Sequence, residues 1–527
     1  MKNINVLDVT LRDGGCVNNF NFGSKYMNKI LASLERASIN YIELGYLDDK
    51  KGSEIERTQY INEKVIYENF LKKKEKNIKY VVMMDYGKYD VDSLSDRKEY
   101  SIDGIRIAFH KKDWEKIIPL GKKIIEKGYE LFIQPMLSMR YSDKEMITLI
   151  NTINNELPEA KAFYIVDSFG EMRNNDVIRL MHLIDHNLNK NIMLGFHSHN
   201  NLQLSYANSM ELLNFPTTRD LIIDASIMGM GKGAGNLNTE LLLEHLNIYF
   251  DKKYNILPLL EVIDNVISVL HKENYWGYSV EYYLSSINKC TPSYARYFYN
   301  KQMLSIDQLS ELLNMISDEK KISFDEKYAE TIYLKYNTNK VFCDDDIIKE
   351  IKRTIKNKTV LLIAPGKTIL KNKEKIKSFI GKENIITISL NNLEFNTDYL
   401  FITRKDFYRD IAKNKIVSKI IMPSNLGIIN NNINVIDYEK WILKTNKIYD
   451  SSTVIIFNIL KNLNVENVLL AGFDGFSINM NENYYDATLR NQITIEQAEL
   501  RNNFYKKLFS DMKKYMNIEF ITESMYE

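Results

Sequence analysis

The stretch INVLDVTLRDGGCVNNFNFG, residues 4–23, runs an apolar, β-rich segment straight into Arg12, Asp13 and two glycines. Charges at the end of a buried strand cost desolvation energy, so they persist where a metal, a substrate or each other uses them. Asp13 reads as a metal ligand. Working outward, short apolar runs recur at residues 41–45, 80–84, 104–108, 130–134, 162–166, 192–196 and 221–227, which with 4–10 makes eight. Helical periodicity fills the intervals, as at 24–37, 114–127, 144–155 and 175–188. Continuous apolar strands alternating with amphipathic helices suit a parallel sheet covered by helices, either a closed (β/α)8 barrel or a doubly wound open sheet.

Polar residues at the strand ends separate these folds. Arg12 and Asp13 follow the first strand, Glu43 lies near the end of the second, Asp85 follows the third and His110 the fourth. Gln134 ends the fifth, Asp167 and Ser168 follow the sixth, His197 and His199 the seventh, and a glycine loop at 231–236 the eighth. Groups from every strand converge on one face only if the sheet closes, and the C-terminal face is where barrel active sites lie. The expected fold is therefore α/β, with a TIM barrel over residues 1–250.

GFHSHNN, residues 195–201, is the sharpest chemical signal. Side chains alternate along a strand, so His197 and His199 point the same way, close enough to grip one ion. The alternative is a pair of satisfied core histidines. With Asp13 they offer two imidazoles and one carboxylate, leaving coordination positions open for substrate. Such mixed donors suit Mn²⁺, Mg²⁺, Co²⁺ or Zn²⁺. Arg12 could then stabilise an enolate oxygen, with Glu43 holding the guanidinium; a plain ion pair between strands is the competing use.

The remaining bounds are broad. A chain of 527 residues exceeds a barrel of about 250, so a second domain is expected. Lys+Arg number 70 against 69 Asp+Glu, giving no bulk field toward nucleic acid or an anionic membrane. Three scattered cysteines, Cys16, Cys290 and Cys343, fit a reducing cytoplasm without disulfides. No apolar run reaches the roughly 20 residues that span a bilayer.

Together TLRDGG, YIELGY, HSHNN and GMGKGAGNLNTE resemble the DRE-TIM metallolyases, HMGL-like barrels that include 4-hydroxy-2-oxoacid aldolases, hydroxymethylglutaryl-CoA lyase and the isopropylmalate and homocitrate synthases. The resemblance covers residues 1–246. It implies that Asp13, His197 and His199 bind a divalent metal, Mn²⁺ or Mg²⁺ first, and that Arg12 faces the keto or enolate oxygen of pyruvate or a related 2-oxoacid. Asn236 is either a further ligand or a loop residue bonding its own backbone. Gln134, Asp167 and Ser168 are candidates to bind substrate. A histidine that serves the hydroxy-oxovalerate aldolases as acid or base is missing after the RDG motif, which leaves Cys16, His110 and Tyr141 as candidates. The loop at 228–240 lacks the cysteine of hydroxymethylglutaryl-CoA lyase. The implied activity is a metal-dependent aldolase or lyase joining or splitting a 2-oxoacid and an aldehyde. An acyl-CoA-dependent condensing synthase and an inactive scaffold barrel are the alternatives.

Residues 251–350 read as a helical extension, either a lid or an interface between copies in a homo-oligomer. Beyond it, residues 355–527 read as a Rossmann-like open α/β domain: a strand, glycine turn and amphipathic helix at 356–380, then strands at 385–390, 399–403, 419–422, 434–436 and 467–472. Through APGKTI, SLNN, TDYLFITR and LLAGFDGFS this part loosely resembles the Rossmann-like domain of bacterial sialyltransferases. That likeness implies a nucleotide-sugar or phosphate group near Gly366, Lys367 and Asn391, with Asp474 facing the same crevice, and a place in surface-polysaccharide synthesis.

Overall fold

The structure is a computed structural model that describes residues 2–50, 56–71, 74–98, 101–338, 342–411, 418–428, 430, 432–444, 448–486, 489 and 493–527. The chain divides into two compact units, Met1–Pro292 and Ser293–Glu527.

The first unit is a barrel. Its strands are β1 (Ile4–Asp8), β2 (Tyr41–Leu47), β3 (Gln59–Tyr60), β4 (Lys79–Asp85), β5 (Gly104–Phe109), β6 (Glu130–Pro135), β7 (Ala162–Asp167), β8 (Met193–Ser198) and β9 (Leu221–Ala225). The parallel order β1-β9-β8-β7-β6-β5-β4-β2 closes through Leu7 against Tyr41 and Asp8 against Ile42, while β3 is a short flap on β2. All eight strands expected from the sequence are present. β1 stops at Asp8 because its carboxylate accepts the N–H of Thr10 at 2.9 Å and turns the chain.

Two apolar layers follow from strand alternation. Leu7, Val9, Val81, Phe132, Tyr164 and Ile222 fill the barrel interior. Their neighbours, such as Val6, Ile42, Ile105, Ile133 and Ile165, pack outward against the helices. The helix Asp143–Glu156 shows how a surrounding helix starts: Ser142 and Glu145 form a reciprocal capping box that satisfies two end N–H groups. The helices Leu257–Val262 and Val280–Ile287 complete this unit.

The second unit holds a seven-stranded parallel sheet in the order β14-β13-β12-β11-β10-β15-β16. Its strands are β10 (Thr359–Ile363), β11 (Ile385–Leu390), β12 (Tyr399–Phe401), β13 (Lys419–Pro423), β14 (Ile433–Ile436), β15 (Asn467–Ala471) and β16 (Asn517–Phe520). Strand order reverses at β10, which pairs with β11 on one side and β15 on the other. The edge strand β16 carries no run of apolar residues and went unread in the sequence. The single helix expected after β10 is two short helices, Thr368–Lys371 and Lys373–Lys377, parted at Asn372. Among the described residues no helix is long and apolar enough to cross a membrane.

Candidate metal centre

Asp13, His197 and His199 meet at the barrel mouth. One ligand atom from each lies within 4.8 Å of the others, and all three residues are buried. Asp13 is placed by the tight turn after β1, where its N–H donates to the Val9 carbonyl at 2.8 Å. The histidines sit at the end of β8, whose Gly195 has no room for a side chain: a Cβ there would lie 2.4 Å from the Tyr164 ring.

Each histidine is oriented through Nδ1. That of His197 lies 2.9 Å from Asp224 Oδ2, and that of His199 lies 3.1 Å from the Lys232 carbonyl. Donation from Nδ1 leaves Nε2 with its lone pair, the arrangement metal-binding histidines use. Burial lowers the His199 pKa to about 4, so the ring is neutral near pH 7. Burial opposes ionisation of Asp13 too, but Arg12, the two histidines and the Asn236 amide outweigh it and hold the carboxyl well below the usual carboxylate range.

Asn236 donates through Nδ2 to Asp13 Oδ2 at 2.6 Å, while its buried Oδ1 has no partner among the described residues. The glycine loop makes this possible. A Cβ on Gly231 would fall 2.2 Å from Asn236 Nδ2 and 2.6 Å from Asp13 Oδ2. An ionised carboxylate, two imidazoles and an orphaned amide oxygen fit a divalent cation, and buried polar atoms without partners mark where one belongs.

Behind the cluster runs a buried ionic chain. Arg12 Nη1 donates to Asp13 Oδ1 at 2.6 Å and its Nε to Glu43 Oε2 at 2.7 Å. Arg106, fully buried, reaches the same Glu43 oxygen at 2.9 Å and also pairs with Asp224. Its guanidinium lies 4.9 Å from the centre of the Tyr164 ring. Three carboxylates thus face two guanidinia. Arg12 Nη2 is buried and donates to no acceptor among the described residues.

The other expected site residues divide by what they touch. Gln134, with its amide oxygen turned toward Arg106, accepts from Nε at 3.2 Å and Nη2 at 2.8 Å, so it holds that guanidinium. Asp167 accepts the N–H groups of Glu171 and Met172 at 2.9 and 3.1 Å, and Ser168 Oγ accepts that of Leu137 at 3.0 Å; both tie loops. Tyr141 packs in the layer between strands and helices with its hydroxyl buried and unpartnered. His110 caps the end of β5, half-buried, its pKa lowered mainly by burial. Cys16 is reached by solvent yet walled in by protein; that burial, with Asp13 beside it, pushes the thiol up to about 12.

Sequence reading missed Arg106, Asp224, Lys232 and Tyr46. Tyr46 lies under the Arg12 guanidinium, 5.9 Å from ring centre to Cζ, and edge-on to Phe20. A bulge explains its direction: Glu43 pairs with Val81 and Tyr46 with Met83, three residues against two. The bulge turns at Gly45, φ +145°, where a Cβ would lie 2.1 Å from the Thr58 carbonyl oxygen.

The HMGL-like family model matches residues 3–266, half of the chain and the whole of this barrel. The chain belongs to the HMGL-like family. A relative from Geobacillus genomosp. 3, named 4-hydroxy-2-oxovalerate aldolase, is 29% identical to this HMGL-like chain over 247 residues, 46% of it and 70% of the relative. An oxaloacetate decarboxylase from Mycobacterium tuberculosis is 25% identical over 241 residues, 46% and 69% of the two chains. Among solved structures, the N-terminal domain of a Bacteroides vulgatus protein described as an aldolase aligns with a TM-score of 0.48 and 27% identity, over 56% of this chain and 96% of that one. The family match falls on the barrel and, with the two named relatives, supports lyase or aldolase chemistry.

Proposed function

We propose that the barrel is a divalent-metal-dependent carbon–carbon lyase of the aldolase type, acting through the enolate of pyruvate or a related 2-oxoacid. The observation that carries this reading is the partnerless Nη2 of buried Arg12 beside the Asp13, His197 and His199 cluster. A buried guanidinium N–H without an acceptor costs free energy unless a ligand supplies one.

Asp13, His197, His199 and Asn236 would hold a divalent ion, which would supply Lewis-acid polarisation of the 2-oxoacid. The protein supplies the rest. Arg12 donates Nη2 to the substrate oxygen on which negative charge develops, and the bonds to Asp13 and Glu43 fix the guanidinium before substrate arrives. Glu43 is fixed in turn by Arg106, and Arg106 by Asp224 and Gln134. Cys16, His110 and Tyr46 are the groups at or beside the mouth that could move the proton. Of these Cys16 is a neutral thiol in the metal-free chain, where burial and the neighbouring Asp13 push it up to about 12.

The test is proton NMR of pyruvate and 2-oxobutyrate in D₂O with the full chain and Mg²⁺ or Mn²⁺, the paramagnetic ion being removed before acquisition. The reading expects exchange of C3 hydrogens that stops with EDTA and in Asp13→Asn. Metal binding without exchange of either acid would overturn it and favour an acyl-CoA synthase or an inactive barrel.

A further inference from the structure

The second unit has a crevice of its own. It is a cavity within the second unit, about 440 Å³ in volume, at the carboxyl ends of β10, β11, β12 and β15. That is the crevice beside the strand-order reversal at β10, where open parallel sheets bind ligands. The volume falls in the range of small-molecule sites, roughly 300–1,000 Å³.

The glycine turn after β10 does not supply an anion site. Thr368 donates its N–H to Asp474 Oδ2 at 2.7 Å and its hydroxyl to Oδ1 at 2.5 Å, so the carboxylate occupies the start of the short helix. Gly366 and Asn391 do line the cavity with Asp474. Lys367 does not, and its amine instead lies 3.3 Å from Glu482.

The charges around the cavity are otherwise largely settled. Lys301 pairs with Glu330 at 2.8 Å inside a ring of Tyr297, Tyr333 and Tyr449. Arg404 pairs with Asp406, and Asp450 accepts the hydroxyls of Tyr333 and Tyr438. Arg501 differs. It lies half-buried on the helix Ile495–Met512 and pairs with no carboxylate among the described residues. Nη2 donates to the Asn300 carbonyl at 2.8 Å, and the guanidinium lies over the Phe476 ring at 5.4 Å. Phe476 in turn stacks on Tyr505. Opposite chemistry is present as well: Asp474 keeps lone pairs for hydroxyl donors. The first turn of the helix Ser452–Asn462 also lines the cavity, through Ser452 and Thr453.

We infer that this cavity binds a nucleoside phosphate, with the phosphate on Arg501, sugar hydroxyls on Asp474 and the base against the aromatic wall. An uncompensated guanidinium takes a phosphate through paired N–H donors, and rings stack on a planar base. A carboxylate beside them takes ribose hydroxyls. This site is independent of the barrel chemistry.

The test is calorimetric titration of AMP, CMP, GMP and UMP into the full chain, with EDTA present. We expect at least one to bind below about 1 mM. Its unphosphorylated nucleoside and the Arg501→Gln variant should each bind about ten-fold more weakly, because both lose the charge-assisted bonds. Asp13→Asn should bind as the parent does. If Arg501→Gln fails to fold, Arg501→Lys serves: it keeps the charge, loses the planar fork, and should weaken binding several-fold. No binding by any of the four, equal competition by inorganic phosphate, undiminished binding in the folded Arg501 variant, or loss of binding in Asp13→Asn would each overturn the inference.

Discussion

The Nδ1 of His197 lies 2.9 Å from Oδ2 of Asp224, a contact between the adjacent strands β8 and β9 that decides which ring nitrogen is left for a metal. The carboxylate lies behind the cluster and still sets its chemistry.

Asp224→Asn should therefore weaken metal binding by about 10–100-fold, as loss of a carboxylate behind a ligating histidine does. Calorimetric titration with Mn²⁺ would show it. An unchanged affinity would mean that His197 is not a ligand.

Arg12→Lys should leave metal affinity within a few-fold of the parent while slowing 2-oxoacid proton exchange by about 10²–10³-fold, the cost of losing one preorganised donor to developing charge. Exchange rates at saturating substrate and metal give the comparison. Equal rates would assign Arg12 to structure alone.

Arg106→Met leaves Glu43 and Asp224 buried without their shared cation. Such removal costs about 3–5 kcal/mol, far beyond an ordinary surface change. The fall should appear in urea unfolding followed by circular dichroism.

Asp8 gives a pH signature. Burial, partly offset by bonds from Thr239 and Thr10, raises its carboxyl to about 6. The folded chain thus keeps this proton to higher pH than the unfolded chain, so the Asp8 contribution to stability falls as pH rises from about 4 to 6 and stays reduced above. The full loss across that window is about 3 kcal/mol. In Asp8→Asn the amide still accepts from Thr10 and donates to Thr239, and that slope should vanish relative to the parent in unfolding measured at pH 4.5 and 7.

Cys16 and Cys343 are both exposed, but a thiol near 12 offers little thiolate, so Cys16 should label with iodoacetamide at pH 8 more slowly than Cys343. Mass spectrometry distinguishes them. Fast labelling of Cys16 would mean that its thiolate is available as a base.

The sequence made the barrel legible because buried parallel strands are written as separate apolar runs, and it made the ligands legible because Asp13, His197 and His199 stand where apolar residues are expected. Arg106 in GIRIAF and Asp224 in LIIDA carried the same signal in mid-strand. The desolvation argument reaches them when it is applied along whole strands rather than at their ends. Tyr46 was hidden for another reason: strict alternation sets it on the opposite side from Glu43, and only the bulge at Gly45 brings the two together. In the second unit the glycine turn looked like an anion cradle, but Asp474, a hundred residues later, fills it.

The ionic chain of Asp13, Arg12, Glu43, Arg106 and Asp224 carries one more negative than positive charge when its groups are ionised. Left to itself, that chamber repels a carboxylate. On the proposed reading a divalent cation reverses its sign and couples the two ligands: each would tighten the other by the same factor, as linkage requires. The apparent affinity for the ion should therefore rise with the concentration of the acid, and that for the acid with the concentration of the ion.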